Sequence, residues 1–581
     1  VLIFRVFSIL SLVLLNSCAD VPEKPGAADQ PTTPVKKAEK TDKKQAKTLT
    51  GNIDPDVLYM LLTAELAGQR GQYGIAFEGY MEAAKRAKDP KYAERAARIA
   101  MYIKDTNRAD DAIALWLRED PKNPTAIKIA TLSAMRSGDS KVIANHLSDL
   151  LKIDPAGFEN SMLELLTVFQ QEGKLDAFYA GLDDLSVKNP NNAEIYFVQS
   201  LLSAQMKKND VAEAKIQQAL KIKPDWDKAL IFQAQIAVFS GDLVKAKNLL
   251  QAASIKLPTN GKIKKMLAQV LIKSTSYDDA VAVYQDIIKT NPEDTESQFA
   301  LALLYMQLEQ DGKAEDEFKK LVETEQWRSQ ASFYLGKIEE KKGHTKKALA
   351  WYDGVKDGAF AFDASMSAVS LLAKDKQFDE ANSRLKSLPG LFPKQQLRIV
   401  LMQVEVLNQQ KQYQKAYQLL TDELAKSPDQ KELLYTRALM AERVDKLDVV
   451  ESDLKKILAK YPNDAEALNA LGYTLLDRTN RYSEAEKYLS KALELQPDEA
   501  VIMDSYGWLQ FKLGKKTQAL EYLQKAYEKQ PESEIAGHLA EVLWMLDRKE
   551  EAKSIFENAI KKAPDDEYLL DFQQRILDGS K

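Results

Sequence analysis

One cysteine, Cys18, stands in a chain of 581 residues, so no disulfide can form within it in any compartment. Histidine is nearly as scarce. His146, His344 and His538 lie far apart, and no His/Cys cluster has zinc spacing. HExxH, GxSxG and the EF-hand loop are absent. The stretch LGKKTQ, residues 513–518, resembles a phosphate loop but lacks its upstream glycine and its GK[ST] order. The acidic pairs Asp110-Asp111, Asp183-Asp184 and Asp278-Asp279 read as carboxylates at the starts of helices, which the helix dipole favours, and not as catalytic groups. These absences nominate no metal, no cofactor and no catalytic residue, and the expectation is a protein that is not an enzyme. No charge sign dominates either. Lys and Arg number 81 against 86 Asp and Glu, a formal net charge of −5, which gives no global reason to expect a nucleic-acid partner. The 45% hydrophobic and 29% charged content suits a soluble helical protein, and the length exceeds one ordinary core, so several domains or a repeat array are expected.

Long apolar runs are missing except at the start, VLIFRVFSILSLVLLNSC, where Arg5 is the only charge. The run from Val6 to Leu15 is too short to span a bilayer, which takes about 20 residues. It has the length of a signal-peptide hydrophobic region. Its ending resembles the bacterial lipobox: Leu15, then Asn16, a small Ser17 and Cys18. The resemblance implies that residues 1–17 are a lipoprotein signal peptide and that Cys18 is the lipidation site. Several acyl chains, at about 0.8 kcal/mol per buried CH₂, hold a membrane where one chain would be marginal. An ordinary cleaved signal with an incidental cysteine competes with this reading. The only cysteine of the chain falling where the lipobox needs it favours lipidation. Ala19 after the cysteine resembles the enteric pattern for outer-membrane sorting, which places the protein on the periplasmic face of that membrane. Residues 18–53 then form a Pro-, Lys- and Thr-rich tether too poor in apolar surface to fold.

What is abundant is periodic proline. Pro155, Pro190, Pro224, Pro258 and Pro292 are 34 or 35 residues apart, and Pro428, Pro462, Pro497, Pro531 and Pro564 continue at 33 to 35. Four such periods separate Pro292 from Pro428. Between the prolines one pattern recurs: Leu471-Gly472, Ala485, Leu489, Ala492 before Pro497, and Tyr506-Gly507, Ala519, Leu523, Ala526 before Pro531. A fixed period of this size means a repeat architecture, and these residues resemble the tetratricopeptide (TPR) signature. The fold class implied is all-α, a solenoid of about fifteen helical hairpins coiled into a right-handed superhelix over residues 54–566. Gly or Ala in helix A and alanines in helix B mark close helix crossings, and proline ends helix B. Residues 122–190 and 361–462 match the pattern less well. Residues 567–581 read as a capping helix over the last hairpin, with Tyr568, Leu569, Phe572 and Ile576 on one face.

By resemblance, helix A of each hairpin lines a groove, with positions 2, 5, 9, 12 and 13 pointing into it. Position 5 carries Phe197, Phe299 and Phe333. Position 9 carries Tyr473 and Trp508, and position 12 carries Phe511 and Met545. Aromatic residues and Met suit the centre of an interface, so these seven are the candidate partner-binding groove. Packing between adjacent hairpins is the competing role for the position-5 aromatics. The glycines and prolines of Trp351 to Pro393 allow a joint or a partner loop, and repeat drift accounts for them equally well.

The chain resembles long bacterial TPR lipoproteins. Some of these act as adaptors that bring carboxyl-terminal processing proteases together with cell-wall hydrolases. The resemblance therefore implies a membrane-anchored scaffold for periplasmic or membrane proteins, with self-association left open. An accessory role in outer-membrane protein assembly or exopolysaccharide secretion is the alternative.

Overall fold

The structure is a computed structural model describing residues 54–173 and 175–578. The signal peptide, Cys18, the tether and residues 579–581 lie outside the described residues. Among the described residues there are 31 α-helices and no strands. The first thirty helices pair into fifteen hairpins, three in a unit ending at Gly157 and twelve in a unit beginning at Phe158. No helix among the described residues is long and apolar enough to cross a membrane.

Asp54 caps the helix Pro55–Gln69 by accepting from the Asp56 amide at 3.0 Å, with Pro55 at the first helical position. Two further hairpins follow, Pro90–Tyr102 with Thr106–Glu119, and Pro124–Ser137 with Ser140–Ile153. Ala93, Ala96, Ala97 and Ala112 are fully buried between them, so the backbones cross closely.

In the second unit the period is written in the backbone. Lys207, Gly241, Thr275, Glu309 and Gly343, each 34 residues from the next, all have φ between 56° and 80°. Each ends helix A in a left-handed turn. The Lys208 amide donates back to the Ser203 carbonyl at 2.8 Å and that of Lys207 to Ala204 at 3.0 Å. LGKKTQ is one of these turns: Gly514 has φ 80° and helix B starts at Lys516.

In most hairpins of the second unit the first buried residue of helix B is alanine; Leu175–Lys188 and Leu447–Lys460 have Phe178 and Val450 there instead. Ala212, Ala246, Ala280, Ala314, Ala348, Ala416, Ala485 and Ala519 are all fully buried. Opposite them, glycine replaces a side chain in helix A. A Cβ on Gly472 would lie 2.6 Å from Leu489 Cγ, and one on Gly507 would lie 2.9 Å from Leu523 Cγ.

Neighbouring hairpins are tied at equivalent positions. Ion pairs join Lys215 to Asp183 (3.0 Å), Arg478 to Asp445 (2.9 Å) and Arg481 to Glu451 (2.7 Å). Lysines of helix B also donate to carbonyls at the preceding proline turn: Lys456 to Pro428 and Lys491 to Pro462, both at 2.6 Å, and Lys529 to Asp498 at 3.1 Å.

Two expectations need correction. Asp183-Asp184 sits in the middle of the helix Leu175–Lys188, where Asp183 accepts from Gln199 (3.1 Å) and Lys215 (3.0 Å). Asp110-Asp111 lies past the first turn of Thr106–Glu119, and Asp110 accepts from the Ser133 hydroxyl. Both bridge hairpins, a role that reading along one helix could not reveal. Asp278-Asp279 does occupy the first turn of its helix.

The segment Trp351 to Pro393 keeps the hairpin pattern. Its first helix stops early, at Asp353. Phe360 in the link packs on Phe333 with ring centroids 5.1 Å apart, and Arg384 reaches back to Asp353.

Candidate functional site

Phe197, Phe299 and Phe333 are interior residues. Phe197 is 3% exposed and packs on Trp226 (ring centroids 4.8 Å) and Phe232 (5.9 Å) of the following hairpin. Phe299 is stacked on Trp327 at 4.4 Å and edged by Phe318 and Tyr334. Phe333 is 1% exposed between Tyr334, Tyr352 and Phe360. The groove assignment fails for these three because the next hairpin supplies aromatic partners that cover them. Met545 is exposed at the end of the helix Ser533–Met545 and does not join the cluster below.

Tyr473, Trp508 and Phe511 do come together. Four A helices, Lys431–Arg443, Ala465–Asp477, Ala500–Lys512 and Ser533–Met545, present equivalent positions side by side, and the closing helix Glu567–Phe572 adds a fifth set. At the centre is buried His538. Its Nδ1 lies 3.0 Å from both carboxylate oxygens of Asp504, which is also buried. The imidazole stacks on Trp508 at 4.1 Å and 16°, and Trp508 stacks on Phe511 at 5.1 Å. The Lys512 ammonium sits 4.3 Å from the Trp508 ring centroid. The Tyr473 hydroxyl donates to Glu534 at 2.6 Å and lies 3.5 Å from His538 Nε2. Tyr568 closes this side, edge-on to His538 at 6.3 Å.

Beside the stack opens a recess of about 450 Å³ walled by Trp508, His538, Tyr568 and Phe572 and rimmed by charge. Arg443 pairs with Glu567 at 3.0 Å, across 124 residues of sequence. Arg575 pairs with Glu541 (2.7 Å) and Asp571 (2.6 Å). Asp477 and Lys512, each the last residue of its A helix, complete the rim.

Burial alone pushes the His538 imidazole down, but the charge and hydrogen bond of Asp504, with Glu534 and Asp477 nearby, hold it above its usual value. Glu534 is raised, first by burial and then by Asp504, against the lowering pull of His538 and the Tyr473 hydroxyl. Glu442 is raised by burial and by the like charges of Asp477 and Glu534, which exceed the pull of Arg478. Tyr473 is pushed well up, mainly by burial. The polar neighbours of His538 are Asp504, Glu534 and the Tyr473 phenol. No group of three or more metal-ligating side chains occurs among the described residues. What the site offers is an aromatic, acid-rich hollow built from several repeats.

Sequence reading missed Asp504, His538, Glu534 and Tyr568. A signal existed. Asp504 and His538 are 34 residues apart at position 5 of helix A, the position that carries Phe197, Phe299 and Phe333 in earlier repeats.

Tetratricopeptide-repeat family models match residues 265–328, 454–487 and 511–576. The TPR repeat-containing protein PA4667 of Pseudomonas aeruginosa strain PAO1 is 32% identical over 495 residues, covering 84% of this chain and 83% of that protein. Similar solved structures include Naa15/Naa10 bound to HypK-THB, 12% identical with a TM-score of 0.34 over 87% of this chain and 100% of that one. The APC/C hetero-tetramer Cut9–Hcn1 is 14% identical, with a TM-score of 0.31 over 84% and 96%. YrrB, described as a TPR protein with an unusual peptide-binding site, is 22% identical, with a TM-score of 0.27 over 30% and 91%. With the hairpin period in both sequence and backbone, and a relative matched along most of both lengths, the chain belongs to the tetratricopeptide-repeat protein family.

Proposed function

We propose that the protein is a non-enzymatic scaffold, anchored to a membrane by lipid on Cys18, that holds partner proteins against its C-terminal A helices. The recess beside Trp508 carries this reading: stacking requires no such hollow, yet five helices converge on one and wall it with aromatic rings. The lipobox-like Leu15 to Cys18 supports the anchor, and Ala19 supports the periplasmic face of the outer membrane. By resemblance alone, the partners are a periplasmic carboxyl-terminal processing protease and cell-wall hydrolases.

Photo-crosslinking in cells tests the scaffold reading. A photoreactive residue placed at 477 or 512 yields a discrete protein adduct, and one at the exposed helix B position 521 does not. Equal labelling from both faces, or no adduct from the recess, overturns it. The anchor is tested separately. Cys18→Ala moves the protein from the membrane fraction to the soluble fraction and abolishes palmitate incorporation. Unchanged fractionation excludes lipidation at Cys18.

A further inference from the structure

We propose that the recess takes a cationic side chain, Arg or Lys, from a polypeptide segment of the partner. This deepens the scaffold reading and rests on it. The charges that line or face the recess do not cancel. Arg443 and Arg575 are already held by Glu567, Glu541 and Asp571. Asp477 is exposed and has no ion pair among the described residues. The rim carries four carboxylates, Asp477, Glu541, Glu567 and Asp571, against three cations, of which Lys512 lacks a carboxylate partner among the described residues and is held over the Trp508 ring.

A hollow with a carboxylate surplus and an exposed ring fits a long cation: the methylene stem packs on Tyr568, 38% exposed, while the head meets Asp477.

The full chain is titrated in detergent with fluorescein-labelled peptides of one sequence that carry Arg, Gln or Glu at the same sites, followed by anisotropy. The Arg peptide binds about tenfold tighter than the Glu peptide, and the difference shrinks as salt shortens the Debye length. Asp477→Asn weakens the Arg peptide several-fold and leaves the melting curve unchanged, because Asp477 is exposed and unpaired. Tyr568→Phe, which keeps the ring, retains the preference, and Glu521→Gln on helix B has no effect. Equal or tighter binding of the Glu peptide, no binding of any peptide, or an Arg preference that survives Asp477→Asn overturns the proposal. Equal binding of all three peptides, with crosslinks from 477 and 512 still present in cells, sinks the charge preference and leaves the scaffold standing. Loss of those crosslinks sinks the scaffold itself.

Discussion

At the scale of the residue, His538 and Asp504 form the most consequential pair outside the apolar core. Both are buried, so each is the other's compensation for lost water. The imidazolium form is favoured because its pKa is raised in the fold. The stabilisation is therefore fully present below the unfolded value near 6.5 and is lost as pH rises through the higher folded value. The protection of amides in residues 500–545, followed by hydrogen exchange, should fall as pH climbs above 6.5, once intrinsic exchange is corrected for. His538→Leu should remove that pH dependence and cost about 3–5 kcal/mol, because Asp504 is left buried without a partner. A variant that kept the wild-type slope would place the titrating group elsewhere. This residue also shows where sequence reading stopped. Tyr473 and Trp508 share position 9 and Phe511 stands at position 12, and in the structure the three gather around His538. Phe197, Phe299 and Phe333 share a register too, but Trp226, Trp327 and Phe360 arrive from later residues to cover them. Whether a ring is wall or core depends on the next repeat's partner, and one residue's position does not carry that information.

At the scale of the element, the hairpin is defined by two backbone demands that the sequence meets unevenly. The first is the left-handed turn after helix A. Glycine meets it at 241, 343 and 514, whereas Thr275 adopts φ 57° despite a branched Cβ. Thr275→Gly should stabilise its hairpin by about 1 kcal/mol, net of the glycine's greater entropy when unfolded, read as a raised urea midpoint. No change would mean that the Thr275 hydroxyl, which donates to the Ser274 carbonyl at 2.7 Å, already offsets the strain. The second demand is close crossing. Gly507→Ala places a methyl group against Leu523, and overpacking of about 1–3 kcal/mol should exceed the roughly 1 kcal/mol that alanine gains in helix propensity. A net gain in stability from this variant would show that Leu523 can shift. The crossing was legible from Gly472, Gly507 and the buried alanines at 34-residue spacing. The acidic ties, such as Asp183 to Lys215, were not, because they join residues of different hairpins that no helix-local pattern connects.

At the scale of the whole molecule, the hairpins within each unit pack chiefly on their sequence neighbours, so stability is approximately a sum of local and nearest-neighbour terms. An array of this kind must end in something that is not another hairpin. In the second unit the closing helix does this by burying Leu569 and Phe572, the latter 5.6 Å from Phe556, and by sending Arg575 to Glu541. The sequence announced the cap through its amphipathic pattern. It did not announce that the helix tightens only to Phe572 and then relaxes into a π-turn over Gln573–Asp578, nor that Glu567 would reach Arg443 three hairpins away. That long reach makes the cap part of the recess as well as of the fold. Deleting residues 567–581 should therefore have two separable effects. Hydrogen exchange should rise in the last hairpin, residues 533–560, where Phe556 loses its cover, and stay at wild-type levels in residues 193–350, beyond nearest-neighbour reach. Arg443 should lose its carboxylate partner, so the recess of the truncated chain should attract anions more than the intact one does. Exchange that rose equally along residues 193–560 would show that the array melts as one body and that the nearest-neighbour description fails.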